Sequence, residues 1–146
     1  MHYHKSLLQY LILLWINHLL KNFVKFLGSG FESKGNDIIE LSDGGYLITG
    51  YDKVNGTDQQ VFVVKVDENG NYVWQKTYGE NTSTEEGKVV KEVSNGYLIA
   101  GTSVHNNITH SFILKTQFDG TQIYFKEFGD QNYDIALSDI LTQGDY

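Results

Sequence analysis

Two histidines could in principle ligate a metal: His105 and His110 lie five residues apart in one polar segment. A histidine pair in such a segment rarely makes a metal site, which needs more ligands in fixed geometry. Residues 67–71, Asp-Glu-Asn-Gly-Asn, resemble the start of a calcium-binding loop. That stretch lacks the distal bidentate Glu of such loops, whereas Asn-Gly is typical of a hairpin turn. The equivalent stretch at 117–121 has lost the pattern. We therefore predict no metal-binding residues.

Motifs of enzymes and cofactor sites are also missing from the sequence. There is no His-Glu-x-x-His and no Gly-x-Ser-x-Gly, and the scattered Ser, His and Asp residues suggest no triad. Gly28-Ser29-Gly30 lacks the remaining glycines of a dinucleotide fingerprint. The absence of Cys excludes a disulfide framework, thiolate zinc sites and a cysteine nucleophile. We therefore predict a chain that is not an enzyme, with no catalytic residues and no cofactor.

The charge of the chain argues against nucleic acid as a partner. The formal net charge is −7, and all 11 basic residues are Lys. Phosphate binding requires a basic face and usually uses Arg. The 40% hydrophobic content is sufficient for a folded core, so the composition is not that of a disordered chain.

The chain repeats itself with a period of 50 to 52 residues. Gly-Gly-Tyr-Leu-Ile-Thr-Gly at 44–50 returns as Asn-Gly-Tyr-Leu-Ile-Ala-Gly at 95–101, and the run at 62–79 returns at 112–129. Each unit alternates β-branched and aromatic stretches with turn signals, which predicts four strands per unit. Units of this size must stack on one another to bury their faces. The predicted strands are 38–41, 46–51, 61–66 and 72–78 in one unit, and 89–93, 97–101, 111–116 and 122–128 in the next.

Four antiparallel strands per repeat of this length is the pattern of a β-propeller blade. The predicted fold class is therefore all-β, a partial β-propeller of about two and a half four-stranded antiparallel blades preceded by a short N-terminal helix. The predicted divisions are a hydrophobic leader or anchor helix at 1–21, the last strand of a partial blade at 22–28, full blades at 35–79 and 87–129, and the start of a further blade at 135–146.

The apolar run at 7–20 follows Lys5 and has three possible meanings. Fourteen residues are too few for a bilayer span of about 20, but they match the hydrophobic region of a secretory signal. No small-x-small cleavage site follows the run. The alternatives are an export signal or uncleaved anchor, a leader-like sequence from a misplaced start codon, and a packed amphipathic helix. Contact with a membrane is expected only through this segment.

The strings Asp-Gly-Gly-Tyr-Leu-Ile-Thr-Gly at 43–50 and Phe-Val-Val-Lys-Val-Asp-Glu-Asn-Gly-Asn-Tyr-Val-Trp-Gln-Lys-Thr-Tyr-Gly at 62–79 carry a family resemblance. They resemble the lipoprotein-like propeller repeats of secreted and cell-surface bacterial proteins, which are common in Bacteroidetes. The resemblance covers 22–146 and implies a secreted or cell-envelope location and a closed ring of several blades. It carries over no catalytic residues, because the shared motif is structural. A ring needs about four to eight blades, and this sequence predicts about two and a half, so it is expected to be a partial chain of such a protein.

Ligand binding is expected where the connections between strands are long. The connections at 42–45 and 67–71 are tight, whereas those at 52–60, 80–86, 102–110 and 130–134 are long and polar. Binding residues concentrate on loops that a rigid scaffold holds. A glycan or a protein is therefore expected to bind at the face formed by the long connections. The predicted ligand-binding residues are Asp52, Asn55, Asp58, His105, Asn107 and His110.

Three functions fit these observations. The first is a non-catalytic surface or secreted module that binds glycan or protein. The second is a fragment of a propeller enzyme, a lyase or glycosidase, whose catalytic residues lie on other blades. The third is a truncated structural array without a function of its own. Because each blade buries both faces against neighbours, a chain with few blades is expected to self-associate through its exposed faces.

Overall fold

The computed structural model is all-β: eight strands and no helix occur among the described residues, which are 31–55, 57–130, 133, 135–137 and 139–141. The strands are β1 (Ser33–Glu40), β2 (Tyr46–Val54), β3 (Asp58–Val66), β4 (Tyr72–Tyr78), β5 (Thr84–Val93), β6 (Gly96–His105), β7 (Ile108–Thr116) and β8 (Gln122–Phe128). The predicted all-β class is confirmed, and each of the eight strands predicted between residues 38 and 128 is present. Most strands extend further than the sequence pattern indicated.

The strands form two four-stranded antiparallel sheets, one of β1 to β4 and one of β5 to β8. Each is a meander in which strands adjacent in sequence are paired. Their irregularities also correspond: β1 bulges after Gly35 and β5 after Gly87. The pairing of β3 with β4 shifts after Lys65, and that of β7 with β8 after Lys115. The two halves of the described chain therefore share both strand order and register.

Tight turns join the strands where glycine or asparagine can adopt a left-handed conformation. Gly70 and Gly120 have φ values of 76° and 77° in the two corresponding hairpins. In the first of these, the Asp67 carboxylate accepts hydrogen bonds from the N–H groups of Asn69 and Asn71, both at 2.8 Å. A side chain that bonds the backbone two to four residues ahead stabilises a turn. Residues 67–71 form a hairpin turn, as predicted.

The main core lies between the two sheets, which pack face to face. Strand β5 runs against β1, β2 and β3, and alternation along the strands places apolar side chains on the shared face. The buried core residues there are Leu41, Leu47, Val61, Val63, Tyr78, Val90, Tyr97, Ile99, Phe112 and Leu114. A smaller buried cluster on the opposite face of the first sheet consists of Ile48, Phe62 and Val64. Burying each large apolar side chain contributes about 1.5–3 kcal/mol.

Hydrogen bonds fix the two sheets relative to each other. The Tyr78 hydroxyl, at the end of β4, donates to the Gly120 carbonyl across the interface at 2.6 Å. The Asp37 carboxylate accepts the N–H of Val90 at 2.9 Å, which satisfies a backbone donor on the edge strand β5. Such buried or edge groups are costly to leave unpaired. The interface is therefore specified by polar contacts as well as by apolar packing.

The outward face of the second sheet carries exposed aromatic side chains. Tyr124 and Phe128 of β8 are 36% and 48% exposed. In the sequence repeat they correspond to Trp74 and Tyr78 of β4. Those two β4 residues pack against the core between the sheets, and the ring centroids of Trp74 and Tyr97 are 6.2 Å apart. Equivalent positions thus contact a neighbouring sheet in one case and solvent in the other.

The prediction of long polar loops at 52–60 and 102–110 is wrong. Strands β2 and β3 run to Val54 and from Asp58, and β6 and β7 are separated only by Asn106 and Asn107. Asn106 and Asn107 have φ values of 50° and 66°. Asparagine tolerates this conformation, which permits a two-residue hairpin. Polar residues before and after the turns therefore belong to the strands, and some of them, such as Asp52 and Ser103, are buried.

Several expectations concern residues outside the described part of the chain. These are the leader or anchor helix at 1–21, the partial blade at 22–28, and most of the further blade at 135–146. Among the described residues, no helix has the length and apolar character needed to cross a membrane.

Candidate functional site

A cleft extends along β8, from Gln122 to one end of the interface between the two sheets. We call this the hairpin end, because it carries the β2–β3 and β6–β7 turns and the connection from β4 to β5. The cleft has a volume of about 430 Å³, within the range of about 300–1,000 Å³ typical of ligand pockets. Its lining residues are Gly79, Glu80, Glu85, His105, Gln122, Phe125 and Glu127.

A histidine–carboxylate pair forms one wall of the cleft. His105 at the end of β6 lies 2.8 Å from Glu127 of β8, measured between Nε2 and Oε1. The Ser103 hydroxyl donates a hydrogen bond to the same carboxylate oxygen. Burial raises the pKa of Glu127, but the hydrogen bonds from Ser103 and His105 outweigh burial, and the net shift is downward. Glu127 is therefore an ionised carboxylate at neutral pH.

Glu85 lies on the other side of the cleft, at the start of β5, and is 1% exposed. Its Oε1 accepts hydrogen bonds from the Ser83 hydroxyl and from the backbone N–H of Glu80. Burial is the largest influence on the Glu85 carboxyl, and it raises the pKa despite these bonds. The neighbouring His105 opposes the upward shift of the Glu85 pKa electrostatically, and Asp58 adds to it. Burial disfavours the charged form of a carboxyl group.

One oxygen of this buried carboxyl has no partner. Oε2 of Glu85 is buried without a hydrogen bond to any residue in the described part of the chain. It lies beside Gly79, where a Cβ atom would collide with it. Gly79 also has a φ of 150°, which a larger residue rarely adopts. The absence of a side chain at Gly79 therefore leaves the space that the Glu85 carboxyl group occupies.

The imidazole of His110 packs against His105, which lines the cleft. Its ring meets that of His105 edge to face, with centroids 5.7 Å apart. It also packs against the backbone of Gly129, where an added Cβ would overlap the ring. Its Nδ1 is buried and has no hydrogen-bond partner among the described residues. His110 thus positions His105 and does not line the cleft.

Two of the predicted ligand-binding residues lie near the cleft, and His105 lines it. Asp58 begins β3, accepts a hydrogen bond from the Gln60 amide at 2.8 Å, and is close enough to Glu85 to influence its pKa. His110 contacts His105 as described above. The structure therefore brings together the residues of two hairpins that are far apart in sequence.

The other three predicted residues have evident structural roles. Asp52 is 2% exposed and accepts a hydrogen bond from the Ser33 hydroxyl within the first sheet. Asn55 and Asn107 have φ values of 57° and 66° and occupy hairpin turns. Burial and turn formation account for these residues without a ligand.

The sequence pattern did not reveal Glu85 and Glu127 as residues of a site. Glu127 is two residues from Phe125, so both project from β8 on the face that packs toward the first sheet. The corresponding position in the first repeat is Thr77. A glutamate on the side of a strand that faces the core was therefore the sequence feature that could have identified Glu127 as a site residue. Glu85 similarly stands where the first repeat has Ser33, so a small hydroxyl is replaced by a carboxyl group.

The arrangement can accept hydrogen bonds and hold positive charge. It combines carboxyl groups, an imidazole and the Gln122 amide around a partly apolar wall at Phe125. No three His, Asp or Glu side chains within the described positions come together as a metal-binding group. The two best-placed carboxyl groups differ in protonation tendency, since the pKa of Glu85 is raised and that of Glu127 is lowered.

Comparison with known proteins adds no assignment. No protein-family model matches the chain, and no curated protein matches it. The function is therefore inferred from the residues of the cleft and from the repeated sequence.

Proposed function

We propose that this chain is a non-catalytic module of a secreted or cell-envelope β-propeller repeat protein, and that it binds glycan or protein at the hairpin end. The location and the bacterial repeat family rest on the resemblance of 22–146 to propeller repeats. The observation that carries the binding role is the cleft of about 430 Å³. Polar groups of the second sheet and of the connection from β4 to β5 converge there, and a few convergent polar groups in a cleft are typical of ligand sites.

The propeller interpretation is supported by the way the two meanders pack. They have the same strand order and corresponding bulges, and they meet face to face with the first strand of one against the other. Propellers are built from four-stranded sheets stacked radially, and contact between two equivalent meanders is what adjacent blades of a propeller require. A further sheet would cover Tyr124 and Phe128 as the second sheet covers Trp74 and Tyr78.

Self-association through this exposed face is a consequence of the proposal. Exposed apolar side chains in a row favour association when no neighbouring sheet covers them. Phe128→Glu should lower the oligomer fraction measured by light scattering, because it places a charge in the face. Thr57→Glu is the matched control, since Thr57 is exposed in the β2–β3 turn and lies outside both open sheet faces. Equal effects of the two substitutions, or a wild-type chain that is monomeric at all concentrations, would contradict this part of the proposal.

The binding role is tested by comparing the full chain with variants on glycan arrays and against immobilised proteins. A double variant, His105→Ala with Glu127→Gln, changes one wall of the cleft. Glu68→Gln removes an exposed charge from the β3–β4 turn at the opposite end and serves as the control. We expect the double variant to lose binding and the control to retain it. Binding that persists in the double variant, or no binding by the wild type, rejects the proposed site.

A second candidate function is cleavage of a glycan, as in a lyase or glycosidase. The observation that favours it is the pair Glu85 and Glu127 on one cleft with pKa values moved in opposite directions. Carboxyl pairs of this kind serve as general acid and base in glycoside hydrolysis. The test is product release from bound glycans. Turnover that is lost in Glu127→Gln would establish the enzyme, and binding without turnover would favour the module.

A further inference from the structure

We propose that the cleft binds a cationic side chain, the ammonium of Lys or the guanidinium of Arg in an extended basic segment of a partner protein. This inference rests on the proposed binding function and narrows its ligand to a class. It follows from the charge of the lining, from one buried oxygen without a partner, and from the shape of the apolar wall.

The lining of the cleft is negative. Three of its side chains, Glu80, Glu85 and Glu127, carry carboxyl groups, and His105 is the one lining residue that can become positive. None of the described residues that line the cleft is Lys, and the sequence contains no Arg. Like charges disfavour an anionic ligand, whereas a cation gains from all three carboxyl groups.

Glu85 supplies an independent indication of a cation. It is 1% exposed, it lines the cleft, and its Oε2 has no hydrogen-bond partner among the described residues. A buried carboxylate is costly, which is why burial raises the pKa of Glu85, and the electrostatic influence of His105 does not cancel that effect. A ligand ammonium or guanidinium would offset that cost by its charge and can donate several hydrogen bonds. A neutral polyol donates hydrogen bonds but leaves the charge uncompensated.

The remaining wall suits an alkyl stem. Phe125 is half-buried and its ring stacks on Phe112 with centroids 4.6 Å apart, so the ring is fixed where it lines the cleft. Lys and Arg bury their methylene stems on apolar surfaces while the charged end seeks polar groups. A cation near an aromatic ring is also attracted by the ring itself. The cleft therefore offers apolar contact and carboxyl groups within the reach of one side chain.

The test is a titration of the full ¹⁵N-labelled chain with hexalysine, hexaglutamate and the neutral hexasaccharide maltohexaose, at about 150 mM salt to screen diffuse attraction. We expect hexalysine to shift the amide signals of Gly79, His105 and Phe125, and the other two probes to leave them in place. Glu127→Gln and Glu85→Gln should each weaken hexalysine binding about tenfold, the effect of losing one charged hydrogen bond. Glu68→Gln removes the same charge at the opposite end and should weaken it less than twofold.

Each outcome decides between the alternatives. Equal weakening by Glu68→Gln would mean diffuse attraction to an acidic protein and would overturn the inference. Maltohexaose that shifts the same amides while hexalysine does not would also overturn it, yet would leave the proposed binding function intact. Absence of binding by all three probes would overturn the inference, and the glycan arrays and immobilised proteins would then decide the proposed binding function. Amide spectra of each variant show whether it is folded, and Glu127→Gln decides the question if Glu85→Gln does not fold.

Discussion

Replacing Phe112 by Ala should destabilise the protein severely, whereas the same change at Phe128 should not. Both residues are phenylalanines on neighbouring strands of the second sheet, but Phe112 is 0% exposed and Phe128 is 48% exposed. Phe112 belongs to the core between the sheets and stacks on Phe125 with centroids 4.6 Å apart. Removing a fully buried Phe costs about 3–5 kcal/mol, from lost transfer energy and from the cavity that remains. At Phe128 the cost should be about 1 kcal/mol, because much of the ring is already in water.

The free energy of unfolding is measured from urea denaturation followed by far-UV circular dichroism. With a slope of about 2 kcal/mol per molar urea, a loss of about 4 kcal/mol lowers the midpoint by about 2 M. Phe128→Ala should lower it by about 0.5 M. Measurements at several protein concentrations separate folding from self-association. If the two variants shift the midpoint equally, the packing of the two sheets described above is refuted.

Further predictions concern the interface, the cleft and the turns. Tyr78→Phe removes the hydroxyl that donates to the Gly120 carbonyl at 2.6 Å and should cost about 1–3 kcal/mol in urea denaturation, because a buried acceptor loses its donor. Glu85→Gln should raise stability at neutral pH, whereas Glu127→Gln should lower it; both are measured by thermal unfolding across pH. Asn107 has a φ of 66°, so Asn107→Val should cost about 1–2 kcal/mol in urea denaturation, and Asn107→Gly should cost nothing or stabilise slightly.

The opposite signs at the two glutamates follow from their pKa shifts. Burial raises the pKa of Glu85 above 4.5, so its stabilising contribution is complete below that value and is lost as pH rises through the folded pKa. The pKa of Glu127 falls below 4.5, so its contribution is present above that value and is lost as pH decreases. The glutamine variants should flatten these two limbs of the pH profile. Glutamine variants that change stability in the same direction would contradict the assignment.

Controls accompany the other two predictions. Tyr72→Phe changes a hydroxyl on a side chain that is 59% exposed and should cost no more than about 0.5 kcal/mol. A Tyr78→Phe variant as stable as Tyr72→Phe would show that the contact with Gly120 does not contribute. At the turn, Asn107→Val and Asn107→Gly with equal midpoints would contradict the left-handed conformation.

The residue types within each segment were sufficient to predict where the strands lie and that a tight turn joins β3 to β4. Val61 to Val66 is β-branched and apolar almost throughout, and the Asn69-Gly70 pair can take the positive φ of a tight turn. The extent of the strands was underestimated, because the residues near Asp52 and His105 are polar and read as loop. The backbones of these polar residues are paired in the sheets, and the Asp52 side chain is buried against Ser33. No local sequence signal distinguishes such a strand end from a loop.

The candidate site could be predicted only in part. His105 was expected from its polar segment, and it lines the cleft. Its partner Glu127 lies 22 residues away in a different strand, and Glu85 lies near the start of β5. Which carboxyl group faces a histidine, and which is buried without a charge partner, depends on how two hairpins and two sheets are placed. The sequence of a single strand or turn does not contain the information about these placements.

The sequence by itself determined the strand pattern, the glycine and asparagine turns, and the correspondence of its two halves, because these depend on side-chain periodicity and on backbone conformations available to each residue. Only the tertiary structure decided that Phe112 is covered and Phe128 exposed, and that Glu85 and Glu127 share a cleft with different protonation tendencies. Burial and pKa are properties of what surrounds a group, and the surroundings here are supplied by strands distant in the chain.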